Sequence, residues 1–306
     1  MGRRIERINS INRLVKNFII LTLLVFGYVS SYAQKTTELE LITLKQLFEY
    51  TDRYDLSGIS HYKDSIFVIA DKKDNPFIYQ VNWAAKHFTV SPIAELSFKG
   101  GIDLEGIAIG GDIAYLINEH DNEVYSYNLK SRKINKLLIN WGALASPKKD
   151  WLHNAGFEGV AIDFDKGVLY LAKERQPKLI LKVDLAALEI IETFITSNKC
   201  SNDYADLYFY EGYLYALERN GMCIIKIDPD THKELKHYSF KKSVSNKGQR
   251  LYEPAKYGMA EALMIKNDEI WIGFDNNGVS VSEFGKSKYG LSGSAPVLLQ
   301  FKLPSK

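Results

Sequence analysis

The chain has 306 residues, with 39 Lys and Arg against 37 Asp and Glu for a formal net charge of +2, and 46% of its residues are hydrophobic. So even a balance argues against a general nucleic-acid binder, which needs a basic stripe, and two Cys with six scattered His give no zinc-ligand spacing. The sequence also lacks Gly-x-Ser-x-Gly, a phosphate-cradling Gly-rich loop and His-Glu-x-x-His, which disfavours serine hydrolases and P-loop enzymes.

Residues 1–33 read as an export signal. Arg3, Arg4, Arg7, Arg13 and Lys16 precede the apolar run Phe18–Phe26, and Ser31 and Ala33 put small residues at the two positions a signal peptidase reads. Cleavage after Ala33 is expected, leaving residues 34–306 as one domain, secreted or periplasmic, with no membrane association. An uncleaved N-terminal membrane anchor is the alternative, but the run is short for a bilayer span of about 20 residues. No Cys follows the run, which argues against a bacterial lipid anchor. The leader carries five basic residues and one acid, so 39 less five leaves 34 basic residues, 37 less one leaves 36 acidic ones, and the mature charge is −2.

A strand-like segment, Leu39–Leu44, comes next and has no partner nearby in the sequence. Five related stretches then follow: Asp55-Leu-Ser57-Gly-Ile-Ser60, Asp103-Leu-Glu105-Gly-Ile-Ala108, Gly156-Phe-Glu158-Gly-Val-Ala161, Tyr204-Ala-Asp206-Leu-Tyr-Phe209 and Met259-Ala-Glu261-Ala-Leu-Met264. Their third residues are spaced by 48, 53, 48 and 55, a period in the range of propellers and arrays. Each is followed by an apolar run closed by an acid: Asp71, Glu119, Glu174, Glu218 and Asp275. The offsets between the two landmarks are 14, 14, 16, 12 and 14, all even. Strand side chains alternate with period two, so changing a hairpin by pairs of residues keeps every side chain on its face. Turn residues stand where each hairpin needs them, as at Gly110-Gly111-Asp112 and Glu211-Gly212.

Third strands are expected at Ile78–Val81, Val124–Asn128, Leu179–Val183, Ile224–Ile227 and Leu298–Phe301. Fourth strands are expected at Ile93–Phe98, Lys136–Ile139, Ile190–Phe194 and Glu234–Phe240. The fifth repeat runs out of chain before its fourth strand. A ring must close to hide its sheet edges, so the unused N-terminal strand is expected to complete the last blade. The reading is all-β, a five-bladed β-propeller of four-stranded antiparallel blades. A six-bladed ring is the alternative and would need a blade that is not legible.

In a blade the first strand is innermost and the second returns antiparallel. Ser57, Glu105, Glu158, Asp206 and Glu261 therefore ring the channel near one mouth, and Asp71, Glu119, Glu174, Glu218 and Asp275 form a second ring there. The second ring has a structural explanation, acceptance of backbone N–H groups from following turns. On the inner ring, converging carboxylates must raise their pKa values or bind a cation. Oxygen-only ligands select a hard ion, so Glu105, Glu158, Asp206 and Glu261 are expected to hold Ca²⁺, with Mg²⁺ second, unless the channel is simply polar and water-filled.

Long inserts at 141–153, 241–257 and 276–294 emerge at the same mouth. They bring Lys148, Lys149, Lys247, Lys256 and Arg250 over it, and Arg175 and Arg219 recur beside the second ring. Arg175, Arg219, Glu174 and Arg250 are the expected ligand-binding residues, for a small anionic molecule. Cys200 and Cys223 lie before the fourth repeat's first strand and at the start of its third; whether they pair is left open.

The Asp-Leu-Glu-Gly-Ile-Ala and Gly-Phe-Glu-Gly-Val-Ala stretches, with Leu169–Arg175 and Tyr215–Arg219 after them, resemble the SdiA-regulated propeller family. More distantly they resemble the esterase-like phytase domain and the calcium-dependent lactonase and gluconolactonase propellers. The resemblance covers about residues 50–280. It implies a propeller and, through the lactonase-like relatives, Ca²⁺ held by Glu105, Glu158, Asp206 and Glu261. This chain departs from that pattern at Ser57 and lacks the Gly after the acid in repeats four and five. Two function classes follow. One is a metal-dependent phosphoesterase or lactonase with Glu158 or Glu105 taking the proton; the other is a non-catalytic binding module or calcium-stabilised propeller.

Overall fold

The computed structural model describes residues 36–48, 53–71, 74–98, 100–151, 155–197, 200–254, 256 and 259–305. The expected signal peptide lies outside the described residues. Among those described, no helix is long and apolar enough to cross a membrane.

Alternating apolar residues with tight turns between them make antiparallel meanders. The first contains β3 (Leu56–Tyr62), β4 (Ser65–Ala70), β5 (Phe77–Trp83) and β6 (His87–Glu95). The second contains β7 (Leu104–Gly110), β8 (Ile113–Asn118), β9 (Glu123–Asn128) and β10 (Ile134–Lys136), and the third β11 (Phe157–Asp163), β12 (Val168–Lys173), β13 (Leu179–Asp184) and β14 (Glu189–Phe194). The fourth contains β15 (Asp206–Tyr210), β16 (Tyr213–Glu218), β17 (Cys223–Ile227) and β18 (Glu234–Ser239). Its 211–212 turn has φ of 48° at Glu211 and 80° at Gly212, the doubly left-handed backbone that matches strand twist in a two-residue hairpin.

The fifth meander is β21 (Ala260–Lys266), β22 (Glu269–Phe274) and β23 (Val297–Lys302), completed by the N-terminal β2 (Glu40–Leu47) in antiparallel register, Leu44 opposite Leu299. β2 also runs parallel to β6, pairing Gln46 with His87 and Leu47 with Phe88. First and last meanders thus share one eight-stranded sheet. A two-residue strand, β1 (Thr37–Glu38), lies parallel to the outer edge of β18.

Two fourth strands differ from the sequence reading. β6 starts at His87 rather than Ile93, because Phe88 is fully buried and its neighbour pairs with β2. β10 covers 134–136 instead of 136–139; Leu137 still donates to the Val124 carbonyl, and the chain then bends so that Asn140 bridges Glu189 of the next meander. The 241–257 insert holds a short helix α1 (Lys241–Val244) and the hairpin β19 (Ser245–Asn246) with β20 (Gln249–Arg250). The 276–294 insert folds into α2 (Glu283–Tyr289), capped by the Ser282 hydroxyl and ended by Gly290 at φ 69°.

The core is layered between meanders. Among the described residues five apolar clusters occur, each shared by two meanders: first with second, second with third, third with fourth, fourth with fifth, and fifth with first. The first strands follow the same cycle, β3 against β7, β7 against β11, β11 against β15, β15 against β21 and β21 against β3. They approach closely: a Cβ on Gly106 would lie 2.8 Å from the Glu158 carbonyl oxygen, and one on Gly159 would lie 2.6 Å from the Asp206 Cα. This explains the glycine after the acid in those repeats.

The register of the first strand against the second skips one residue in four of the five meanders, between Leu56 and Gly58, Leu104 and Gly106, Phe157 and Gly159, and Ala260 and Ala262. The skipped residues are Ser57, Glu105, Glu158 and Glu261. A bulge frees its extra residue from the ladder and re-aims its side chain. β15 has no such skip, and Asp206 pairs in register with Leu217.

Candidate functional site

The bulged residues and the ends of the second strands enclose a cavity of about 300 Å³. Ser57, Glu105, Glu158 and Glu261 reach it from the first strands, and Asp71, Glu119, Glu174 and Asp275 from the ends of the second. Asp55, Asp103 and Asn277 also line it, and Arg175 and Arg219 supply positive charge. The sequence reading missed Asp55 and Asp103. The signal was present, since both stand two residues before a ring position in the same Asp-Leu-x-Gly-Ile pattern.

Arg219 organises one side. Its Nη1 donates to both carboxylate oxygens of Glu261 at 2.6 and 2.5 Å, its Nη2 pairs with Glu174 and lies 3.5 Å from Glu158 Oε1, and its Nε lies 3.4 Å from Asp203 Oδ2. Burial opposes the guanidinium charge, but Glu261, Glu158 and Glu174 outweigh it and hold the group protonated. Glu158 is raised well above the ordinary carboxyl range, by burial against the pull of Arg219. Glu174 is raised to about 7, burial again coming first and Arg219 and Arg175 opposing it. Its Oε1 takes both guanidinium groups, while its Oε2 is buried with no hydrogen-bond partner.

The other side is acidic. One carboxylate oxygen from each of Asp71, Asp103 and Glu105 lies within 4.8 Å of the others. Burial, then Glu158, Asp71, Asp103 and Glu119, push Glu105 well above its ordinary value, so the strongest charges acting on it are all carboxylates. Asp275 is raised well above its ordinary value too, by burial and then Asp55. Arg53 pairs with Asp55 from outside the cavity wall.

Three expected site residues sit elsewhere. Asp206 is buried and accepts the Leu207 and Leu263 N–H groups, each at 2.7 Å, with a further backbone bond from Val160. It staples adjacent first strands and does not line the cavity, because β15 lacks the bulge that would turn it inwards. Glu218 accepts Lys178 Nζ at 2.6 Å in a buried pair and the Ser201 N–H at 2.7 Å, so the fourth meander presents Arg219 to the cavity in place of an acid. Arg250 packs against the Met259 sulfur beside Phe240 and Phe274. On the second ring, Asp275 accepts the Asn277 N–H of its own turn at 2.7 Å, whereas Glu119 takes the Gly156 N–H at 3.1 Å, ahead of β11. Of the loop lysines, Lys148 pairs with Glu123 at 2.7 Å over the Trp141 ring and does not line the cavity. Cys200 and Cys223 form a disulfide that ties the segment before β15 to the start of β17.

A cycle of antiparallel meanders whose innermost strands surround a polar cavity defines a β-propeller. The model of the SdiA-regulated family matches residues 36–247, and the chain belongs to that family. Glutaminyl cyclase of Myxococcus xanthus superposes with a TM-score of 0.56 at 9% identity, covering 89% of this chain and 100% of that one. A Bacteroides thetaiotaomicron structural-genomics protein of unknown function aligns with a TM-score of 0.46 at 12% identity over 88% of this chain and 63% of its own. Virginiamycin B lyase of Staphylococcus aureus gives 0.41 at 13% identity over 80% and 65%. No curated protein matches the sequence.

Proposed function

We propose that this chain is an exported five-bladed propeller that holds a divalent cation, Ca²⁺ before Mg²⁺, in its central cavity and acts as a hydrolase on a small anionic ligand. The cycle of five shared core layers supports the blade count. Export, to a periplasm or the outside, rests on the N-terminal pattern. The carrying observation is the uneven distribution of charge: Arg219 neutralises Glu158, Glu174 and Glu261, while Asp71, Asp103 and Glu105 converge with only carboxylates acting most strongly on Glu105. Convergent oxygen ligands of this kind suit a hard cation. Asp71, Asp103 and Glu105 would hold it, which moves the site from the four carboxylates read in the sequence to one shared by the first two blades.

A bound divalent ion would polarise a phosphoryl or carbonyl oxygen and acidify a water. The chain's own groups supply the rest. Arg175 lines the cavity with its side chain 40% exposed and is steadied by Glu174, so it can meet an anion entering from solvent. Glu174, raised to about 7 with one oxygen uncommitted, can exchange a proton near neutrality. A second reading keeps the cation as a tie between blades without turnover, favoured by a lining that, among the described residues, contains no aromatic side chain. Assaying p-nitrophenyl phosphate, phytate and simple lactones with Ca²⁺ or with chelator separates the two. Chelator-sensitive turnover lost in Glu174→Gln supports the hydrolase, and Ca²⁺ uptake with no turnover of any of them supports the structural ion.

A further inference from the structure

The acidic cavity is not the largest. A second hollow of about 790 Å³ opens where the first and last meanders meet, at the end of the parallel β2–β6 seam. Among the described residues its lining is opposite in character to that of the central site: Arg53, Lys86 and His87 line it, and no described Asp or Glu does. The two hollows share a partition, since Arg53 borders this one and pairs with Asp55, which borders the other.

The pocket is built rather than incidental. Gln46, at the end of β2, donates to the Ser292 and Ala295 carbonyls at 2.8 and 3.1 Å and accepts the Ser292 N–H at 3.2 Å, which fixes the loop after α2 as one wall. The floor is apolar, with Leu291 6% exposed. At the rim Phe48 is 47% exposed and its ring lies 4.4 Å from the His87 imidazole, leaving a broad flat surface in water. An exposed aromatic at the edge of a concave, partly apolar pocket with a few convergent polar groups is the general form of a small-molecule site, and the volume falls within the usual several hundred Å³.

We propose that this seam pocket binds a small organic anion with a flat apolar body, its charged group on Lys86 and His87 and its body against Phe48 and Leu291. Arg53 is partly committed to Asp55, so Lys86 and His87 carry the recognition. Apart from Arg53, which pairs with Asp55, the residues lining this pocket take no part in the central cavity.

The test titrates the purified protein with 8-anilinonaphthalene-1-sulfonate, an aromatic anion, and with N-phenyl-1-naphthylamine, the same body without the charge. One saturable site is expected, with the sulfonate favoured about fivefold or more, as one partly exposed charge contact supplies. Lys86→Glu is expected to abolish that preference and leave the neutral amine unaffected, and Phe48→Ala to weaken both probes. Both replaced side chains are exposed, so neither change should unfold the protein. Equal affinity for the two probes, or sulfonate binding untouched by both substitutions, overturns the assignment.

Discussion

Arg219 is the residue on which the central cavity turns. Its guanidinium is the counter-charge for Glu158, Glu174 and Glu261, with only 14% of its side chain exposed. Removing one partner of a buried charge network leaves the others uncompensated, which costs more than the network contributes when whole. Arg219→Met is therefore expected to lower unfolding free energy by about 3 kcal/mol in a urea titration at pH 7.5; a loss under about 1 kcal/mol would show that the guanidinium is not the counter-ion. Glu174 gives a pH dependence of known sign. Its folded pKa is about 7 against an ordinary value of 4.5, so between those values the folded state keeps a proton that the unfolded chain has released. Stability must fall as pH rises through that window. In chelator, the melting temperature is expected to drop by about 5 °C between pH 5 and pH 8, and Glu174→Gln to flatten part of the fall; a melting temperature that rises over the range contradicts the assignment.

At the scale of the strand, the bulge does what composition alone cannot announce. The period-two pattern, the turn residues and the even offsets made the hairpins legible, and the unpaired Leu39–Leu44 pointed to the closing strand that β2 supplies. The ring positions were legible too, and Glu105, Glu158 and Glu261 do meet. What could not be read was that Asp206 lies in regular register while its four counterparts are bulged, because a one-residue skip leaves no mark in hydropathy. Nor could the sequence say which arginine would be buried: Arg175 and Arg219 occupy one blade position, yet the Arg219 side chain is 14% exposed and pairs with four carboxylates, whereas that of Arg175 is 40% exposed. The helix α2 was hidden for a different reason, a run of seven residues too short to show a period against its Gly and Ser neighbours. Close packing of first strands has a consequence of its own. A methyl at Gly159 would meet the backbone of Asp206 and Leu207 at 2.6 and 2.7 Å, where neither strand can yield cheaply. Gly159→Ala is expected to cost about 2 kcal/mol, whereas Gly167→Ala, whose Cβ meets nothing within 4 Å but whose φ is 65°, should cost about 1 kcal/mol for backbone strain alone. Equal losses at the two sites would mean that the strands are not in this contact.

For the whole molecule, the closed cycle of meanders converts separate repeats into one cavity, and the cavity's charge is resolved on one side only. The fourth meander presents a guanidinium where its neighbours present carboxylates, and the carboxylates bordered by the first two are where the proposed cation would sit. Calcium calorimetry of the purified protein beside Glu105→Gln and Asp206→Ala puts this most directly. The account predicts uptake of one ion by the wild type, its loss in Glu105→Gln, and unchanged affinity in Asp206→Ala despite lower stability. No uptake by the wild type, or uptake that survives Glu105→Gln and disappears in Asp206→Ala, contradicts it.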